Sequence, residues 1–331
     1  MADQRSTPFK VFGAADAPAG GLAHQRVAVL GYGNLGRAAA LNLRDSGVDV
    51  TIGNRDDEYA VTARGDGFQV LPLAAAAALD VSFVLLPDEV IPEAFTRDIA
   101  PALRPRSAIA FASGYCLAFG LIQPPAGVDV LLVAPRSPGS VARSRYVAGQ
   151  GFWAYVSVET DASGRARERM LALAAALGVL RTGAIEMNAR QEALLDLFVE
   201  QSVGAVLGMA VMAAFEVGCE AGIPPEAMVM EMYASGEMES VFASFRDTGF
   251  FRASEEHGPT ALFGGITRTL AMDRGAMLDS FRTILEDIRS GGFAQRFQTE
   301  AKDGYPMLGI ARDMMRGDSP MQAAEDRLRK T

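Results

Sequence analysis

The stretch from Gln25 to Arg44 restricts the fold more than any other part of the chain. Val27 to Leu30 is a short apolar run and reads as a buried strand. Gly31, Gly33 and Gly36 follow in the spacing G-x-G-x-x-G, and Ala38 to Leu43 reads as the helix behind them. Each glycine has its own task. Gly31 permits the tight turn, Gly33 lets backbone approach a pyrophosphate, and Gly36 lets the helix pack on the strand with its N–H groups facing the anion. The spacing alone is a weak signal, but between a strand and a helix it has the context a dinucleotide site requires. Tyr32, Asn34 and Leu35 fill the motif and belong to the same candidate site.

The pattern then repeats. Val48 to Ile52 reads as a second strand and ends in Gly53-Asn-Arg-Asp-Asp-Glu58, where such folds read the adenosine ribose. A carboxylate there accepts from a free 2′-OH, whereas an arginine pairs with a 2′-phosphate. Asn54, Arg55 and Asp57 offer both chemistries; the run of acids tips the balance toward NADH, with dual use left open. Val81 to Leu86 is another buried run and stops at Leu86-Pro87, at the edge of the sheet where ligands bind. Ser107 to Phe111 leads to Ser113, Val128 to Ala134 leads to Arg136 and Gly139, and Gly151 to Val158 is expected to be the last strand. Strands alternating with helices imply an α/β fold with a Rossmann-like, parallel, doubly wound sheet. Strand signals stop near Gly183 to Glu186. The expected division is an N-terminal arm over 1–24 that reads as frayed, a dinucleotide-binding domain over 25–184 and an all-helical domain over 185–331.

Composition bounds the partners. A net charge of -9 argues against nucleic acid and anionic membrane surfaces, which want a basic patch. Cys116 and Cys219 make no disulfide framework, which fits a reducing, cytoplasmic setting. The long apolar helix around Val203 to Phe215 is bracketed by Glu200 and Glu216 and reads as a buried helix, not a membrane span.

In the helical half, Asp196 and Glu200 are four apart, on one face of a helix, where carboxylates can hold a hard cation such as Mg²⁺. By spacing alone a solvated acid pair is the commoner outcome. A second acidic set, Glu226, Glu231, Glu237 and Glu239, follows. Several segments together resemble the short, single-knot ketol-acid reductoisomerases. They are Gly31-Tyr-Gly-Asn-Leu-Gly36, Leu85-Leu-Pro-Asp-Glu89, Val133-Ala-Pro-Arg-Ser-Pro-Gly139, Asp196-Leu-Phe-Val-Glu-Gln201 and Glu220-Ala-Gly-Ile-Pro-Pro-Glu226, in family order over most of 25–265. The resemblance implies a knotted helical domain and two Mg²⁺ that polarise an acetohydroxy acid. An alkyl shift and hydride transfer from NAD(P)H follow. It makes Asp196, Glu200 and Glu231 the metal carboxylates, with Glu231 supplied by the partner of a homodimer that shares its active sites.

The departures fall at catalytic positions. Ser113 stands where the family has histidine, Arg136 where it has lysine, and Ser235 where it has a fourth carboxylate; Gly258, beside His257, stands where a substrate-contacting serine is expected. Serine cannot buffer near neutral pH as imidazole does, and arginine is not a proton donor. Losing one carboxylate leaves a second ion poorly held, and the alkyl shift depends on the metal pair. The sequence therefore points first to a reductase of a small 2-keto acid or related C=O or C=N compound that has lost the shift. Ser113 would donate one hydrogen bond and Arg136 would clamp a substrate carboxylate. The alternatives are a genuine ketol-acid reductoisomerase converting 2-acetolactate to 2,3-dihydroxyisovalerate in branched-chain amino acid biosynthesis, and a catalytically silent dinucleotide-binding protein.

Overall fold

A computed structural model describes residues 9–255, 258–316 and 319–330. The chain forms two compact units, Met1–Asp196 and Leu197–Thr331. The division falls inside a helical stretch, later than the 184/185 boundary expected above.

The first unit is built on a nine-stranded sheet in the order β1-β9-β8-β7-β6-β5-β2-β3-β4. Its strands are β1 (Val11–Phe12), β2 (Arg26–Leu30), β3 (Asp49–Gly53), β4 (Gln69–Leu71), β5 (Val81–Val84), β6 (Ala108–Phe111), β7 (Asp129–Pro135), β8 (Trp153–Thr160) and β9 (Gly183–Glu186). The helices are α1 (Asn34–Asp45), α2 (Glu58–Gly65), α3 (Leu73–Ala77), α4 (Ile91–Ala94), α5 (Tyr115–Ala118), α6 (Gly139–Val147), α7 (Ala166–Leu177) and α8 (Ala189–Val199). The six neighbours β4, β3, β2, β5, β6 and β7 are parallel, so the carboxyl ends of β2, β3, β5 and β6 lie along one edge. Val27, Val29, Val81, Phe83, Ala108, Ala110 and Leu131 are fully buried in one continuous core. That is why their strands read as unbroken apolar runs rather than alternating ones. Truncating such a residue to alanine costs roughly 2–5 kcal/mol.

Three features correct the sequence reading. β8 pairs antiparallel to β7, so the sheet is mixed rather than wholly parallel. Gly183 to Glu186, where strand signals were expected to stop, forms a further strand, parallel to β8. The arm is partly built into the domain. β1 closes the outer edge of β9 in antiparallel register, and Phe12 is buried beneath Lys10 and Arg167, whose cationic groups lie 4.5 and 5.5 Å from its ring centre. An uncovered β9 would present a row of unpaired backbone groups, which the arm satisfies.

The second unit is helical: α9 (Ala205–Glu220), α10 (Pro225–Val229), α11 (Glu237–Thr248), α12 (Phe250–Ser254), α13 (Pro259–Ala271), α14 (Arg274–Arg289), α15 (Gly292–Lys302), α16 (Pro306–Arg316) and α17 (Pro320–Leu328). Proline opens α10, α13 and α17, where its missing N–H costs nothing. Two π-helical turns interrupt the pattern, Glu200–Gly204 and Met230–Ala234. One packed cluster in it is Phe215, Val229 and Ala324, with Met228, Met232 and Met321 against them, and Ile288 and Ala294 are buried as well. The expectation of a buried helix over Val203 to Phe215 is not met within one chain. Of α9 only Phe215 and Gly218 are buried, while Met209 and Val217 are each 63% exposed. The continuous helix Ala189–Glu220 is long and apolar enough, by length and composition, to cross a membrane.

Candidate dinucleotide and carboxylate site

The turn after β2 shows why glycine is needed. Gly31 has φ +101°, and a Cβ there would lie 2.7 Å from the Leu85 carbonyl oxygen. A Cβ on Gly36 would lie 2.2 Å from the Gly31 oxygen, so α1 can start this close to β2 only with glycine. Gly33 is different: nothing lies within 4 Å of a Cβ built on it. Its free side faces a cavity of about 580 Å³ lined by Gly31, Tyr32, Asn34 and Leu35 from this turn. Asn54, Arg55 and Asp57 after β3, Leu86 and Pro87 after β5, and Ser113 after β6 complete the predicted part of the lining. Gly36 and Gly139 are not on its wall. Gly139 instead lets α6 approach the turn, since a Cβ there would sit 2.4 Å from the Asn34 oxygen. The cavity has the size and the open glycine face of a dinucleotide cradle, at the carboxyl edge of a doubly wound sheet.

At the ribose end, Asp57 is the N-cap of α2. Its Oδ1 accepts from the Tyr59 and Ala60 N–H groups and from Asn54 Nδ2, at 3.0, 3.2 and 2.8 Å. Arg55 Nε donates to its Oδ2 at 2.7 Å, and this bond leads in holding the carboxyl below its ordinary range. Asp57 is therefore a fixed anion, and Arg55 already has a partner. Tyr32 packs edge-on against Phe68 and donates its hydroxyl to Asp66 at 2.8 Å; burial raises its pKa. Sequence reasoning missed Tyr59, Val90, Ile91 and Arg97, which line the same cavity from α2 and the segment after β5.

Beyond Ser113, whose Oγ accepts from the Tyr115 N–H at 3.2 Å, lies a charged cluster. Arg136 reaches from the end of β7 with a two-pronged grip: Nη1 on Asp196 Oδ1 at 2.5 Å and Nη2 on Glu192 Oε1 at 2.7 Å. Glu192 is fully buried, and its Oε2 accepts from the Gly114 N–H at 2.7 Å. Burial raises the Glu192 pKa, with the Arg136 charge pulling the other way. α8 starts directly on this loop, since a Cβ on Gly114 would lie 2.1 Å from the Ala189 oxygen. Glu192 was overlooked in the sequence although Glu192, Asp196 and Glu200 recur every fourth residue. Both prongs of Arg136 are taken by carboxylates of the chain itself, not left open for a substrate.

The remaining candidates lie in the second unit. Glu200 opens one π-turn and Glu231 sits in the other, with Ser235 capping it. Single π-turns inside helices are found disproportionately at functional positions. Carboxylates suit a hard cation, yet among the described residues no three His, Cys, Asp or Glu side chains converge within one chain. Gly258 caps α13, and His257 lies outside the described residues.

Likeness to known proteins runs along both units. Residues 21–183 match the acetohydroxy acid isomeroreductase NADPH-binding domain, and residues 190–331 match the ketol-acid reductoisomerase C-terminal domain. The ketol-acid reductoisomerase (NADP(+)) of Methanopyrus kandleri is 39% identical over 325 residues, covering 97% of this chain and 98% of that one. The chain belongs to the ketol-acid reductoisomerase family. It is an NAD(P)H-dependent oxidoreductase. A putative ketol-acid reductoisomerase 3 of Saccharolobus solfataricus is 36% identical over 302 residues, covering 88% of this chain and 90% of that one. An NADH-preferring ketol-acid reductoisomerase from an uncultured archaeon superposes with a TM-score of 0.91 at 33% identity, covering 97% of this chain and 98% of that one. Likeness of this kind along the whole chain gives no support to a family member that has dropped the isomerisation; it favours the alternative named above.

Proposed function

We propose that this protein is a genuine ketol-acid reductoisomerase that converts 2-acetolactate to 2,3-dihydroxyisovalerate in branched-chain amino acid synthesis. The observation that carries the reading is the 39% identity to a reductoisomerase over 97% of the chain. In the reaction a methyl group moves from C2 to C3. The C2 hydroxyl gives up its proton and becomes a ketone while the C3 carbonyl oxygen takes a proton and becomes a hydroxyl; the C2 ketone then takes hydride from the nicotinamide and a second proton from the site. Asp196 and Glu200, with Glu231 of a second copy, would hold Mg²⁺, which supplies Lewis-acid polarisation of the hydroxyl and carbonyl oxygens. Glu192, whose pKa burial raises against the pull of Arg136, would hold Asp196 in place through Arg136. Arg136 fixes Glu192 and Asp196 relative to one another, and Ser113 donates one hydrogen bond to substrate. Asp57 favours a cofactor with a free 2′-OH, so NADH is read as at least an equal partner to NADPH.

The chain is read as a soluble, cytoplasmic homodimer whose second copy covers the apolar face of α9. The second unit exposes too much apolar surface for a stable monomer. Two observations favour a second reading. Arg136 occupies a carboxylate that a cation would need, and Ser235 leaves the donor set one short, so reduction without the shift is the rival. Product analysis separates them. Incubation of 2-acetolactate with NAD(P)H and Mg²⁺ is expected to yield 2,3-dihydroxyisovalerate. NAD(P)H oxidation with 2-keto acids but none with 2-acetolactate would overturn the reductoisomerase reading.

A further inference from the structure

A second cavity, of about 220 Å³, lies on the other edge of the sheet. It is lined by Asp80, Arg104, Pro105, Arg106, Ser107 and Arg169. Asp80 immediately precedes β5 and Ser107 immediately precedes β6, so this pocket sits at the amino ends of the strands whose carboxyl ends border the dinucleotide cavity.

Its charge is not balanced internally. Asp80 accepts from the Arg26 N–H at 2.9 Å and from Arg104 Nη2 at 2.7 Å. Asp129, fully buried behind the wall, accepts from the Ala162 and Ser163 N–H groups, from the Ser163 hydroxyl and from Arg169 Nη1. Arg169 also spends Nε on Gln25 and shares Nη1 with the Arg106 carbonyl. Arg106 gives Nη2 to the Ser163 carbonyl. What is left over are donors: among the described residues Arg169 Nη2, Arg106 Nη1 and Nε, and Arg104 Nη1 and Nε have no acceptor. Arg169 is itself only 9% exposed, so its position is fixed by the fold. The independent sign is Ser107. The residue is 5% exposed and lines the pocket, and its Oγ is buried with no hydrogen-bond partner. A buried hydroxyl without a partner is costly, and a small shift of the pocket wall that let a ligand oxygen reach it would remove that cost.

We propose that this pocket binds a phosphate group, either free or as the end of a phosphomonoester, independently of the dinucleotide. The donors come from a loop and from a helix and include a hydroxyl. That spread suits a tetrahedral oxyanion, whereas a planar carboxylate is satisfied by one guanidinium fork. Four arginines, Arg26, Arg104, Arg106 and Arg169, face two carboxylates, Asp80 and Asp129, which leaves net positive charge for a dianion.

The test is calorimetric titration of the full-length protein, saturated with NAD(P)H so that its own phosphate subsite is filled. Inorganic phosphate is titrated first and glycerol phosphate second. Saturable binding is expected, weakened at least about tenfold by Arg104→Ala, which removes a charged donor, and severalfold by Ser107→Ala. Ser107→Ala is also expected to leave Tm in phosphate-free buffer unchanged or raised while reducing the rise that phosphate gives. Turnover without phosphate should be unchanged in both variants. Binding of both probes supports a site for the bare group, and tighter binding of glycerol phosphate identifies a phosphomonoester as the occupant. Absence of saturable binding at millimolar phosphate, its loss once NAD(P)H is present, or equal binding by wild type and both variants would overturn the proposal.

Discussion

The two units of this chain treat apolar residues in opposite ways. In the first, β2, β5 and β6 bury nearly every side chain they carry, and the core runs unbroken across the sheet. In the second, α9, α11 and α13 turn Met209, Phe242 and Phe263 outward, and buried hydrophobics among the described residues are few, Phe215, Val229, Ile288 and Ala324 among them. The first unit supplies every residue that lines its cavity of about 580 Å³. The second cannot bury its own hydrophobic surface, and it carries the carboxylates Glu200 and Glu231. Cofactor binding and the proposed chemistry should therefore respond differently to changes in each unit.

The largest expected effect comes from Asp196→Ala. It should lower kcat/KM for 2-acetolactate on the order of 10²–10³-fold, the cost of one preorganised charge, and leave cofactor affinity nearly intact. Steady-state kinetics alongside cofactor fluorescence titration measure both, and turnover close to wild type would remove Asp196 from the site. Next comes Gly33→Val. With nothing within 4 Å of the new Cβ the fold has room for it, yet it fills the cradle. Cofactor affinity should drop about 100-fold with Tm little changed; an unchanged affinity would mean the dinucleotide does not pass over Gly33. Met209→Asp, on the exposed face of α9, tests the other side of the comparison. Light scattering should show a shift from dimer to monomer, since a central apolar contact is worth about 2 kcal/mol or more. Activity should fall with it while cofactor binding persists, and an unchanged mass would place the interface elsewhere.

A smaller effect concerns pH. Glu192 has its folded pKa raised, so its contribution to stability is fully present below the ordinary carboxylate range. That contribution is lost as pH rises through the raised value. Wild-type Tm should carry this downward slope above the ordinary glutamate range, and Glu192→Gln should level it. A slope that survives the substitution would assign it to another group. Asp57→Asn should change least. The amide oxygen can still cap α2, but the fixed charge is gone, so the ratio of NADPH to NADH affinity should rise, at most about tenfold. No change in that ratio would show that Asp57 does not read the ribose.

Much of the first unit was legible because its signals are local. The apolar runs at Val27, Val81 and Ser107 each became a strand within a residue or two of the expected start, and the Gly31 to Gly36 turn formed as its spacing required. β9 escaped because Gly183 to Glu186 is short and half-buried, so its sequence has neither a long apolar run nor clear alternation. The antiparallel turn of β8 escaped because strand direction is set by the path of the intervening chain, not by the strand's composition. Glu192 escaped because a glutamate on a helix is normally solvated. Only the approach of Gly114 and Arg136, distant in the chain, makes it a buried acid.

By itself the sequence determined the glycine turn after β2 and the order of strand and helix in the first unit, because spacing and hydrophobic period act over a few residues. Only the tertiary structure decided that Arg136 grips Glu192 and Asp196, that the N-terminal arm seals β9, and that Ser107 is buried without a partner among arginines. Each of these depends on residues brought together across long stretches of chain, where charge, burial and hydrogen bonding are set by neighbours that no local pattern names.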